Sequence, residues 1–375
     1  MAREFGAEDY GRLRDVIGNS AILSAAFSLL LAGAGQLAAR PVLLLLQTPG
    51  DILSNTLLYL RIMFLGVPIV TAYNLLACIL RSLGDGKTPL QAMVVASAAN
   101  IGLDLLFVMV FRWGIAGAAA ATLIAQLVSG LFCLYHISRL DILCMERKNF
   151  RLQAREVPRL LGLGFPMAFQ NCVIAIGGMI IQFVVNQVGV LFIAGYTAAN
   201  KLYGVLEIAA TSYGYAMITY VGQNLGAGEY RRIRRGMRAA LAIAVATSLV
   251  IAAVMLAFGR VFLSGFVSGT PSEVEQALDV AYTYLSIMSL SLPILYILHV
   301  VRSAIQGMGN TALPMVSGIV EFIVRTSAVF LLPMVIGSTG IFLSEISAWA
   351  GADLVLAPSY FLVASRKLEK PPEKD

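Results

Sequence analysis

The chain has 375 residues, of which 58% are apolar and only 13% charged, with a mean hydropathy of +0.81. So few charges cannot coat a water-soluble globule of this length, so the composition describes an all-α polytopic membrane protein. It also supplies no spaced metal-ligand cluster from two histidines and four cysteines, and no glycine-rich loop ending in Lys-Ser or Lys-Thr that would make ATP the fuel.

Ten spans follow in chain order, each near or above the roughly 20 residues that cross ~30 Å of hydrocarbon. They lie near 17–39, 53–80, 90–111, 114–138, 158–186, 190–223, 236–258, 278–301, 312–336 and 339–364. Continuous apolar runs of this length fit helices and not the alternating strands of a barrel. The expected organisation is an N-terminal bundle over 1–138, a cytoplasmic linker over 139–157, a C-terminal bundle over 158–365 and a tail over 366–375. Cys78, Cys133, Cys144 and Cys172 read as small buried hydrophobes without a disulfide.

Charge placement orients the spans. With the N-terminus on one side, that side holds 21 of the 27 lysines and arginines, Arg302 among them. The other side holds only Arg40, Arg112 and Arg260, while Arg61, Lys201 and Arg325 fall inside spans. This bias places both termini in the cytoplasm. Basic runs such as YRRIRR at 230–235 then face anionic headgroups, which argues against a nucleic-acid partner.

A duplication runs through the chain. YLRIMFLGVPI (59–69) returns as YLSIMSLSLPI (284–294), FGAEDYGRLR (5–14) as LGAGEYRRIR (225–234), LRSLGDGKTPL (80–90) as IQGMGNTALPM (305–315), and GIAG (114–117) as GSTG (337–340). The even number of spans between copies keeps their orientation, which describes two parallel bundles with a binding cavity between the halves. The second copy has six spans and the first four. Two spans without a counterpart suggest a truncated chain or a late start assignment.

The strings RSLGDGKTP, NIGLDLLFV, GIAGAAAATLIAQ and VGQNLGAGEYRRIR resemble signatures of the multidrug and toxic compound extrusion (MATE) transporters. The resemblance covers residues 1 to about 365 and implies twelve spans in two six-helix lobes that open alternately to each side. It also implies export of organic, often cationic, compounds in exchange for sodium ions or protons, with no other cofactor. The family's N-lobe cation site uses an Asn and an Asp one turn apart and a Thr in the following span, which correspond to Asn100, Asp104 and Thr122. Its first-span acid has no position in this chain.

The residues themselves leave two readings at several places. Asn100 and Asp104 share a helix face at i and i+4. A bare carboxylate there costs at least ~2.5–3.5 kcal/mol, so it needs a cation, a proton or water beside it, or a hydrogen bond that pins two helices. Its hard oxygens suit Na⁺. Thr122 ends a run of small residues that equally favours close packing.

Glu321 and Arg325, again i and i+4, form either a structural ion pair or the charge of the substrate cavity. Glu207 is a candidate contact for a cationic substrate, and Lys201, six residues away, lies on a different face. Glu345 and Asp353 rank lower. Gln170, Asn171, Gln182 and Asn186 line the 158–186 span, with Gln170 assigned to the cavity. Pro68 and Pro293 sit at matching places as hinges or packing kinks. Tyr73, with Met63, Phe64, Met288 and Tyr296, suits an apolar pocket or core packing.

The resulting expectation is a monomeric secondary antiporter in the inner membrane that exports small organic drugs and contacts membrane lipids. Alternatives are a flippase for a lipid-linked saccharide, which requires a larger basic cavity, and a non-transporting fragment or assembly partner. A membrane enzyme lacks a nucleophile–base pair.

Overall fold

A computed structural model describes residues 1–45 and 49–368. The tail expected over 366–375 lies outside the residues whose side chains it describes. Regular structure among the described residues is helical throughout. A short α1 (Ala2–Gly6) precedes α2 (Tyr10–Leu45), α3 (Gly50–Ser82), α4 (Lys87–Asp104) and α5 (Gly114–Ile137). Then come α6 (Glu156–Val185), α7 (Val190–Gly226), α8 (Tyr230–Ser264), α9 (Pro271–Gly307), α10 (Ala312–Ile336) and α11 (Thr339–Leu368).

A long helix stands at each expected span, and among the described residues nine of them are long and apolar enough to cross a membrane. The exception is α7, diluted by Asn200, Lys201 and Glu207. This is a multi-pass membrane protein. Helices α2, α8 and α9 run well past the spans read from hydropathy because backbone hydrogen bonding continues where the side chains turn polar.

Contacts divide the chain into two compact units, Met1–Leu160 and Leu161–Asp375, so the division falls inside the first turns of α6. In the first unit, α3 packs on α2 and α5, and α5 on α4. Glycines set these approaches. A Cβ on Gly35 would stand 2.2 Å from the Phe64 ring, and one on Gly66 would stand 1.9 Å from Leu123 Cδ2. Small residues at crossings are how helices associate where lipid competes for every apolar surface. Two small clusters fill this unit, one of Tyr73, Ala77, Leu80, Ala92 and Cys133, the other around Leu13, Ile17, Ile79 and Leu143.

The second unit is built on α9, which packs against α7, α8 and α11. Its Tyr284, Leu285, Met288, Leu292, Leu295 and Tyr296 are almost wholly buried. Outward faces are apolar instead, as with Leu37, Met334 and Val335, each more than 80% exposed. That inversion is what a hydrocarbon solvent selects.

The duplication is present in the backbone. Gly84 (φ 93°) and Gly309 (φ 76°) turn the chain after α3 and α9, and the next N–H groups, of Asp85 and Asn310, reach back to Leu80 and Ile305 at 3.0 and 3.2 Å. Gly114 and Gly337 open the following repeat pair at φ 56° and 66°. Pro68 and Pro293 both lie inside unbroken helices, where each removes the hydrogen bond to the carbonyl four residues earlier, Phe64 and Ser289.

Two expectations fail. Of the four cysteines only Cys133 is buried; Cys78 and Cys172 are exposed on helices, where in a membrane protein an apolar side chain has no need to face inward, and Cys144 is exposed in the segment between α5 and α6. Arg302, taken as a loop charge, lies within α9 with its side chain 11% exposed against Glu321.

Candidate functional site

In the first unit the sequence places polar residues on two adjacent helices. Helix α4 passes without a break into a π-helical turn, Leu105–Val110, immediately after Asp104. Turns of this kind are rare and concentrate at functional sites. The chain reverses through Arg112 (φ 55°) and Gly114 (φ 56°), and the Phe107 and Trp113 rings pack at a tilt with centroids 4.9 Å apart.

Helix α5 then returns antiparallel to α4. Two contacts give the register: Ser129 Oγ donates to Ala92 O at 3.4 Å, and a Cβ on Gly117 would stand 3.0 Å from Phe107 Cβ. By interpolation Asn100 stands level with Thr122, with Asp104 one turn to one side and Gln126 one turn to the other.

Asn100 Nδ2, Asp104 Oδ1 and Gln126 Oε1 are buried and have no hydrogen-bond partner among the described residues. Each such group costs about 1–3 kcal/mol. Thr122 Oγ1 donates to Ala118 O at 3.0 Å, which leaves its lone pairs able to accept or coordinate. Carboxylate, amide and hydroxyl oxygens are the donor chemistry that a hard monovalent cation takes.

The second unit holds the opposite arrangement, in which charges satisfy one another. Arg325 Nη2 meets Glu321 Oε1 and Glu345 Oε2, each at 2.9 Å, and its Nη1 donates to Ile174 O at 3.3 Å. Glu321 Oε2 takes Arg302 Nη2 at 2.6 Å. The network joins α6, α9, α10 and α11. Gly177 makes room for it, since a Cβ there would stand 3.1 Å from Arg325 Cδ. Glu207 of α7 is half-buried and interacts electrostatically with Glu345, Arg325 and Glu321. Asp353 Oδ1 is buried without a partner among the described residues.

A family model described as MatE matches residues 1–106 and 166–331. The chain belongs to the MatE family. It is 31% identical over 233 residues to the probable multidrug resistance protein YpnP of Bacillus subtilis, covering 62% of this chain and 52% of that protein. It is 23% identical over 343 residues to the multidrug export protein MepA of Staphylococcus saprophyticus, covering 91% and 74%. The chain therefore spans about half the length of YpnP and about three quarters of MepA.

Among solved structures, a MOP-superfamily transporter from Pyrococcus furiosus, described as having a binding pocket of reversed polarity, superposes with a TM-score of 0.91. The identity is 20%, over 99% of this chain and 82% of that one. A multidrug resistance MATE transporter in its outward-facing conformation gives 0.90 at 20% identity, over 98% and 82%. At these identities the likeness is one of fold.

Within this MatE chain the residues singled out from sequence separate into groups. Asn100 and Thr122 lie at one level of the α4–α5 pair, with Asp104 one turn away on the same face as Asn100. Glu321 and Arg325, read as either a structural ion pair or a cavity charge, are 3% and 4% exposed and paired with each other. Gln170 is 3% exposed, and a Cβ on Gly318 would stand 2.6 Å from its Cγ. Tyr73 is 8% exposed inside its packing cluster, and Met288 and Tyr296 are core. Glu207 and Lys201 differ in exposure, half-buried against exposed.

Sequence reasoning passed over Gln126, although a Gln four residues after Thr122 in an otherwise apolar run was a usable signal. It also missed that Arg302 and Glu345 complete the Glu321–Arg325 pair, for which the sequence carries no local sign.

Proposed function

We propose that this chain works as a secondary exporter that exchanges Na⁺ or H⁺ for amphipathic, often cationic, organic compounds by alternating access. The observation that carries the reading is Asp104 Oδ1, a buried carboxylate oxygen with no hydrogen-bond partner among the described residues. An ion or proton at Asp104 stabilises one arrangement of the transporter and the compound stabilises another, so that each drives release of the other. Asn100, Asp104 and Thr122 hold the ion. The names borne by YpnP and MepA support organic compounds as the exported class. The charge bias supports an inner-membrane orientation with both termini cytoplasmic.

Flipping of a lipid-linked saccharide is disfavoured, because recognition of pyrophosphate needs free cations. Arg302 and Arg325 are already held by Glu321 and Glu345.

The test is efflux of a cationic dye from proteoliposomes of the purified chain under a sodium or a proton gradient, with Asp104→Asn alongside. The expected result is ion-driven efflux that the substitution abolishes while thermal unfolding stays the same. Equal efflux from both proteins under both gradients would remove Asp104 from the coupling step.

A further inference from the structure

The segment between α5 and α6 is pinned on one side and presents an unusual face on the other. Its inner side binds the first turns of α2. Asn149, 2% exposed, donates Nδ2 to Asp15 Oδ1 at 2.7 Å, and the Gln153 N–H donates to Asn19 Oδ1 at 2.9 Å. Arg14 Nε donates to Ile142 O at 3.0 Å, and Arg12 pairs with Glu156 at 3.1 Å. Gly18 permits the approach, since a Cβ there would stand 2.0 Å from Asn149 O.

From Arg151 the backbone is extended, with φ −116° and ψ 132°, so neighbouring side chains point to opposite sides. Phe150 and Leu152, on either side of Arg151, therefore share a side and stand out at 48% and 58% exposed, while the Gln153 backbone N–H is held by Asn19. Near them Arg147, Lys148 and Arg155 are exposed, and Arg151 is exposed on the opposite side of this extended stretch. Lys148 pairs with Glu146 at 2.9 Å, both largely exposed. Such a pair is weak and yields readily to a phosphate.

Two facts give this face an occupant. Its anchors, Asp15 to Asn19, lie where the apolar run of α2 begins, so the segment sits at the height of the membrane interface. A rigidly displayed aromatic and aliphatic pair with cations near it has the composition of an interfacial element, apolar groups for the acyl boundary and cations for anionic headgroups. We propose that residues 147–155 form a membrane-surface foot, with Phe150 and Leu152 seated among the headgroups of the bilayer the protein spans and the nearby cations on anionic phospholipid.

The test uses the full chain with Phe150→Trp, and separately Leu152→Trp, in vesicles of phosphatidylcholine with or without phosphatidylglycerol. Fluorescence is read as the difference from the unsubstituted chain, which has Trp113 and Trp349. The added tryptophan is expected to be quenched by lipid brominated near the headgroup, roughly twofold more strongly when phosphatidylglycerol is present. Serine at Arg147, Lys148 and Arg155 together is expected to remove that dependence without lowering the unfolding temperature. No quenching in either lipid overturns the foot, and quenching without lipid dependence overturns the headgroup contacts. Protection of 147–155 from hydrogen exchange in native membranes but not in the vesicles would overturn it too, in favour of a protein partner.

Discussion

Glu8 and Gly228 occupy the same turn of the two repeat copies, both left-handed, at φ 57° and φ 73°. Each follows the end of a helix, α1 at Gly6 and α7 at Gly226, and precedes the tyrosine that opens the next, Tyr10 and Tyr230. Only the second copy uses the residue for which that backbone carries no steric penalty.

Glu8→Gly should therefore stabilise the protein by about 0.5–1 kcal/mol, and Gly228→Ala should destabilise it by about 1 kcal/mol. Glu8 is exposed, and a Cβ on Gly228 meets nothing within 4 Å, so neither change disturbs packing. Thermal unfolding in one detergent, with both variants beside the parent, checks the opposite signs.

Asp85 caps α4, its Oδ1 accepting from the backbone N–H groups of Lys87 and Thr88 at 3.0 Å each. Burial pushes this carboxyl up, but hydrogen bonds from Thr88 and Lys87 outweigh it and hold it below its ordinary 3.8. A depressed carboxylate contributes stability that is fully present above the unfolded value and is lost as pH falls through the folded one. Stability should thus decline as pH drops below about 4. Asp85→Asn, which imitates the Asn310 cap on Leu313 in the other copy, should remove this site's share of the decline. Asp85→Ala should cost about 1 kcal/mol at neutral pH. Unfolding midpoints between pH 3 and 7 separate the three proteins.

Arg325→Met should be severe. It leaves Glu321 and Glu345 short of a shared partner inside the second unit, a loss on the order of 3–5 kcal/mol. A double variant that also carries Glu345→Gln should recover much of that loss, since Glu321 keeps Arg302 and no unpaired carboxylate is then left in the network. Yield of monodisperse protein and its unfolding temperature report both outcomes.

Gln126→Leu should leave the ion concentration needed for half-maximal efflux unchanged, because Gln126 stands about two helical turns, ~11 Å, along the helix pair from Asp104 and out of reach of an ion held there. The maximal rate and the unfolding temperature should change little, because the amide oxygen has no hydrogen-bond partner among the described residues to lose. Efflux measured against a series of gradient ion concentrations checks the first outcome, and thermal unfolding the last.

Much of the architecture was open to reading before any coordinates. The α5, α7, α10 and α11 helices begin within a residue of their expected starts, and the matched turns at Gly84 and Gly309 follow from the repeated strings. The N-lobe polar group was partly legible, because Asn100 and Asp104 are one helical turn apart and their shared face needs no tertiary knowledge. Glu345 and Arg302 could not be recognised as partners of Arg325 and Glu321. Their meeting depends on how far three helices are rotated and slid against one another. The mistaken loop position of Arg302 has the same origin.

The sequence alone determined that this is a helical membrane protein, that it is duplicated, and that carboxylates lie within its spans. Those properties follow from local quantities: the transfer cost of each side chain and the 1.5 Å rise of a helix. Tertiary structure alone decided which of the buried charges are neutralised and which are left wanting. It tied Arg325 to two carboxylates from different helices, left Asp104 Oδ1 without a partner, and laid the 147–155 segment along α2 through residues more than 130 positions apart. The reason is physical. A charge in a low-dielectric interior is governed by what lies within a few ångströms, and that neighbourhood is made by packing.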